Sequence, residues 1–167
     1  MMKLNSKKYP NISYEKGEDI WLSPDETELG FYFDVEEGFT SDGEKMDIVA
    51  TALDNVEQLE VLAKEKLRKT LQNQDGEFYE IVLYFMKFHK EELADSLAEL
   101  LQTENVGDIT FTQMVDYLKI NRFGCIEGNS NEQTFIMDLS FNPDFTDELM
   151  VVYFDVNYNI IDISHES

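Results

Sequence analysis

The sequence predicts an α+β domain, a mainly antiparallel sheet with two longer helices and one short helix packed on one face. Three observations predict it. Residues 29–36 and 135–141 alternate side chains with the period of two that a half-buried strand requires. Residues 55–72 and 78–102 repeat apolar residues every three to four positions, the stripe of an amphipathic helix. The elements run strand, strand, helix, helix, helix and then strands, an order that segregates the two types of structure.

A short strand is expected near Ile20 to Leu22. Leu29, Phe31, Phe33 and Val35 then alternate with Gly30, Tyr32, Asp34 and Glu36. "EEGFTSDGEK" is polar and holds Gly38 and Gly43, so it reads as the turn of a hairpin. "MDIVATALD", with Ile48, Val49 and Thr51, reads as the returning strand. Asp54 and Glu57 have the spacing of a capping box that opens the helix over 55–72, with Val56, Leu59, Ala63, Leu67 and Leu71 along its apolar side. "NQDG" at 73–76 ends that helix, and Asp75 is expected to cap the next, with Glu77 and Glu80 in its positive first turn. The second stripe, from Phe78 through His89 to Leu101, is expected to bend near Lys90. Thr112 is expected to cap a short third helix.

Strands are expected at 123–127, at 134–141, within "ELMVVYFDV" and at "NIIDIS". "ELMVVYFDV" is apolar on both faces, as a covered central strand is. Asn157, Tyr158 and Asn159 suit the hairpin turn that follows it.

A length of 167 residues, 43% of them hydrophobic, with twelve Phe and eight Tyr, makes one domain with a real core over 1–167, of which 1–17 is expected to be a loosely ordered N-terminal segment. No apolar run approaches the ~18 residues that span a bilayer, and the N-terminal stretch has no secretory apolar region. The one cysteine, Cys125, excludes an intramolecular disulfide and fits a soluble, bacterial-type cytoplasmic protein. Charge is the unusual feature, with 35 acidic against 13 basic residues for a net −22. Asp25 to Glu60 holds twelve acids and one base, Lys45, and nine acids but no Lys or Arg follow Arg122. Direct binding to nucleic acid or to an anionic membrane is disfavoured, because either needs a basic footprint.

The parts of the common chemistries are missing. There is no nucleophile elbow, phosphate-binding loop or dinucleotide fingerprint. Cys125 has no partner signalled near it and reads as a buried structural residue. His89 falls on the apolar stripe, where a hydrogen-bonded core histidine is expected, and the alternative of a His89–Glu92 metal half-site lacks a second half. His165 and Glu166 stand at the end of the chain, poor ground for a preorganised site. No catalytic residue, metal ligand or cofactor is assigned.

"TFIMDLSFNPDFTDELMVVYFDVNYNIIDISHES" resembles the C-terminal signature of small acidic bacterial proteins grouped as a domain of unknown function, themselves similar to immunity proteins of toxin systems. A strand with aspartate, a polar connector, Val152-Tyr153-Phe154-Asp155, a turn and a last strand ending in Glu166-Ser167 carry the resemblance, and "YFMKFHKEEL" is similar to the family's central helix. The resemblance implies no catalytic residues.

These readings converge on a non-catalytic acidic protein that binds a basic protein partner, of the kind an immunity protein forms with a cationic toxin such as a nuclease. The expected contacts are Asp25, Glu26, Glu28, Asp34, Glu36, Glu37, Asp42 and Glu44, with Tyr32 and Phe39 as aromatic anchors. A housekeeping subunit, or an enzyme with a carboxylate and histidine metal site, is the alternative.

Overall fold

A computed structural model describes residues 1–129 and 131–167. β1 (Met2–Lys3) and β2 (Ser13–Tyr14) form a small antiparallel ribbon, with Leu4 and Ile12 buried beside it. Asp54 ties down the loop between them, accepting hydrogen bonds from the Ser6 hydroxyl at 2.5 Å and from the Lys7 and Lys8 amides at 2.9 and 3.1 Å. Burial pushes the Asp54 carboxyl up, but these donors outweigh it and hold the group below its ordinary value.

β3 (Ile20–Leu22) is followed by a 3₁₀ turn (Pro24–Glu26) and by β4 (Tyr32–Val35). The hairpin expected after β4 is not formed. Its turn contains a short helix, α1 (Glu37–Thr40), and its returning strand is a helix, α2 (Gly43–Asp54). Asp42 caps α2 by accepting the Glu44 and Lys45 amides. Met46, Val49, Ala50 and Leu53 are all buried, a spacing of three and four that outweighs the strand preference of Ile48, Val49 and Thr51. The true partner of β4 is the strand before it, since β3 and β4 pair antiparallel.

α3 (Val56–Leu71) begins after Asn55, whose side chain makes no cap bond and donates to the Tyr158 hydroxyl at 3.0 Å; Asp54, the expected cap, ends α2 and is engaged by the N-terminal loop. α4 (Tyr79–Glu92) begins after Phe78, so Asp75 is not its cap. The expected bend lies at Leu93, which separates α4 from α5 (Ala94–Leu101). Thr110, not Thr112, caps α6 (Phe111–Met114), in a reciprocal pair with Gln113. The helices are thus more numerous than the three expected.

β5 (Lys119–Glu127), β6 (Gln133–Ser140), β7 (Leu149–Phe154) and β8 (Ile160–Glu166) complete a six-stranded sheet of order β3-β4-β5-β6-β7-β8. Every pair is antiparallel except β4–β5, which is parallel: the chain between them, which carries all six α-helices, returns β5 in the same direction. Gly124 is required at that junction, since a Cβ there would lie 2.3 Å from the Asp34 carbonyl oxygen. The fully covered strand is β6, buried at all eight positions, rather than β7. At the β7–β8 turn the left-handed residue is Tyr158, with φ 68°, while Asp155 accepts bonds from the amides of Asn157 and Asn159.

Register puts Phe33, Phe123, Met137, Val152 and Ile163 side by side on one face, and all five belong to the same core cluster as Leu53, Leu59, Leu67, Phe85 and Leu97 of the helices. Six phenylalanines, Phe33, Phe85, Phe123, Phe135, Phe141 and Phe154, are fully enclosed, each contributing roughly 1.5–3 kcal/mol of burial. The opposite face carries Tyr32, Arg122, Asp138, Val151 and Ser164 in one row and Asp34, Gly124, Ile136, Tyr153 and Asp162 in the next. None of these ten belongs to the core cluster.

Candidate functional site

The eight acidic residues singled out by charge do not share a hairpin. Asp25 and Glu26 lie in the 3₁₀ turn, Glu28 in the loop after it and Asp34 on β4. Glu36 and Glu37 open α1, and Asp42 and Glu44 open α2. Several serve the fold. Asp34 pairs with Arg122 at 2.9 Å, the Glu36 carboxylate accepts the Glu127 amide at 2.9 Å, and Asp42 is the α2 cap. Asp25, Glu28, Glu37 and Glu44 keep exposed side chains, as does Glu26, although its carboxylate also accepts the Ser23 amide at 2.8 Å.

Asp25, Glu26 and Glu28 are brought together. With Tyr9, Pro10, Asn11, Ile12 and Thr27 they line an open cavity of about 350 Å³ that contains no basic residue. The N-terminal loop forms one wall and the 3₁₀ turn the other, so the bonds from Asp54 to residues 6–8 help to position it. Burial first, and then Glu57 and Asp54, raise the Tyr9 phenol from its ordinary value, which keeps it neutral.

The two aromatics expected as anchors are not both at the surface. Phe39 is buried and so is not presented to a partner. Tyr32 is half-buried and stacks on Trp21, with ring centroids 5.5 Å apart. Trp21, 58% exposed on the three-residue edge strand β3, is the larger surface aromatic that charge reasoning missed. Its signal was local: in Ile20-Trp21-Leu22 a period of two turns Trp21 away from its two apolar neighbours.

Arg122 organises the face beside this stack. It donates to Asp138 and to Asp34, each at 2.9 Å, and so bridges β4 and β6 across β5. Burial pushes the Asp138 carboxyl above its ordinary value, and Arg122 only partly offsets that; Asp34 is raised by the same balance. Burial alone would lower Arg122, but the two carboxylates outweigh it and raise its pKa.

The nucleophile and histidine candidates lie elsewhere. Burial pushes the Cys125 thiol up to about 12, so it carries no thiolate at neutral pH. His89 is wholly enclosed, with Nδ1 2.8 Å from the Phe85 carbonyl oxygen and Nε2 2.9 Å from the Thr146 hydroxyl, whereas Glu92 is exposed. Burial lowers the His89 pKa. His165 is not on a frayed end: it sits within β8, packs edge-on to Phe85 and bonds Glu148 at 2.6 Å. Among the described residues no three His, Cys, Asp or Glu side chains are grouped to hold a metal ion, and no helix is long and apolar enough to cross a membrane. Comparison with family models, curated proteins and solved structures finds no match to this chain.

Proposed function

We propose that this chain is an acidic binding protein whose partner is a basic protein, of the kind an immunity protein forms with a cationic toxin such as a nuclease. The observation that carries the reading is the cavity walled by Asp25, Glu26 and Glu28 without a compensating base, with exposed Trp21 on the neighbouring strand. A lysine or arginine side chain has the charge and reach to fill such a cavity, and the Tyr9 and Pro10 side chains offer its aliphatic stem apolar contact. Trp21 supplies desolvated area, which charges at a wet surface do not. The net charge of −22 adds long-range steering, which accelerates association about 10–10³-fold and falls with salt.

The resemblance of residues 134–167 to immunity-like acidic proteins points the same way. We infer further that the helices lie against the Phe33–Met137 face of the sheet, which leaves Trp21, at the β3 edge of the other face, open for contact. On this reading the protein neither binds nucleic acid directly nor associates with membranes, and it acts in the cytoplasm without a cofactor.

The test is affinity capture on immobilised protein from cells of the source, eluted with a salt gradient. Retained proteins are expected to be basic and to leave as salt rises. Retention that is indifferent to salt, or a retained set with ordinary isoelectric points, contradicts the proposal.

A further inference from the structure

A second cavity has the opposite character. About 370 Å³ in volume, it lies where β5 begins and β6 ends, lined by Tyr32, Lys119, Asn121, Ser140 and Asn142 together with Pro24, Leu100, Ile120, Phe141 and Pro143 and the backbone at Gly30. That volume falls within the ~300–1,000 Å³ usual for small-ligand sites. No acidic residue lines it, in a chain with 35 acids. The acidic cavity described above and three further surface cavities each carry at least one, namely Asp25, Asp47, Glu80 and Glu65.

Its polar groups are unspent. Ser140 is 2% exposed, and its hydroxyl has no hydrogen-bond partner. A buried hydroxyl left alone is destabilising, so a group in the cavity that bonds Ser140 is favoured there. Lys119, beside Ser140 in the β5–β6 register, has no ion-pair partner among the described residues. The Asn142 side-chain oxygen accepts the Asp144 amide at 2.9 Å, which leaves its NH₂ to donate. Asn121 occupies the register shift between Ile120 and Arg122, the kind of bulge that re-aims a side chain.

We propose that this cavity binds a small organic carboxylate with an apolar body. One cation and several neutral donors match a single negative charge, and the strongly acidic chain disfavours a dianion such as phosphate. Lys119 and Asn142 take the carboxylate, the Ser140 hydroxyl donates to it, and Leu100, Ile120, Phe141 and the two prolines enclose the carbon body. The cavity shares Tyr32 with the Trp21 stack but holds none of Asp25, Glu26 and Glu28, and the proposal stands whether or not a basic partner exists.

The experiment titrates the intact protein with sodium hexanoate, hexanamide and inorganic phosphate, followed by calorimetry and by thermal unfolding. Hexanoate is expected to bind saturably with a Kd of about 1 mM, the range for so small a ligand, and hexanamide about tenfold more weakly. Lys119→Gln is expected to weaken hexanoate about tenfold and leave hexanamide unchanged, since it removes one charge interaction. Ser140→Ala is expected to weaken hexanoate severalfold while the free protein melts no lower than wild type, because an unpaired buried hydroxyl is lost. A purely structural Ser140 predicts a lower melting point instead. Absence of saturable hexanoate binding overturns the proposal, as does equal binding of hexanamide, tighter binding of phosphate, or hexanoate binding indifferent to Lys119→Gln.

Discussion

Replacing Arg122 with Met removes the cation between Asp34 and Asp138 while keeping the length of the side chain. Breaking a buried ion pair from one side costs ~3–5 kcal/mol, because the remaining charge is stranded. The Arg122 side chain is 24% accessible and that of Asp138 only 6%, so the low end, about 3 kcal/mol, applies. With a urea slope of about 2 kcal/mol per molar, the unfolding midpoint falls by about 1.5 M. The loss also depends on pH. Without Arg122, Asp138 has a folded-state pKa raised further above its unfolded value, so the folded state holds more protons across that interval. Stability then falls as pH rises through it. The deficit relative to wild type is therefore larger at pH 7.5 than at pH 5. Adding Asp138→Leu removes the stranded charge and is expected to restore at least half of the loss. Urea titrations followed by circular dichroism at the two pH values read all three outcomes. A midpoint shift below about 0.3 M at pH 7.5, or equal deficits at both pH values, refutes the reasoning about this face.

Other outcomes test separate parts of the account. His89 has its pKa lowered by burial, so the unfolded chain takes up the proton first and stability drops as pH falls below about 6.5; His89→Gln is expected to flatten that slope between pH 7.5 and 5.5 in thermal unfolding. Gly124→Ala forces a Cβ against the Asp34 carbonyl oxygen and is expected to cost about 1–3 kcal/mol, more than Gly38→Ala, where the added Cβ meets nothing within 4 Å. Cys125, with its thiol raised to about 12, is expected to resist a thiol reagent in the native protein and to react once urea unfolds it, as ultraviolet absorbance records.

What could be read from the sequence was the periodicity of long elements. Val56, Leu59, Ala63 and Leu67 marked α3, and the alternation from Phe135 to Leu139 marked β6, because one face of each is buried and burial imposes a repeat. α2 was missed where its β-branched residues favour a strand; only the cap at Asp42 and the packing of Met46, Val49 and Leu53 decide for helix. The capping signal at Asp54 failed because a distant segment, residues 6–8, claims its side chain, whereas those at Asp75 and Thr112 failed because α4 and α6 begin elsewhere. The acidic site was only half legible. Its charge is visible in composition, but the meeting of Tyr9 and Pro10 with Asp25 and Glu28 depends on how the N-terminal loop is tied down. The burial of Phe39 likewise follows from α1, an element the sequence did not announce.

The most direct measurement compares capture by wild-type protein with capture by an Asp25→Asn, Glu28→Gln, Trp21→Ala variant that melts within a few degrees of it. Glu26 is left in place because it caps the 3₁₀ turn. Basic proteins retained by the wild type are expected to be lost from the variant at physiological salt. Retention of the same proteins by both, in equal amounts, would contradict the assignment of this surface to partner binding.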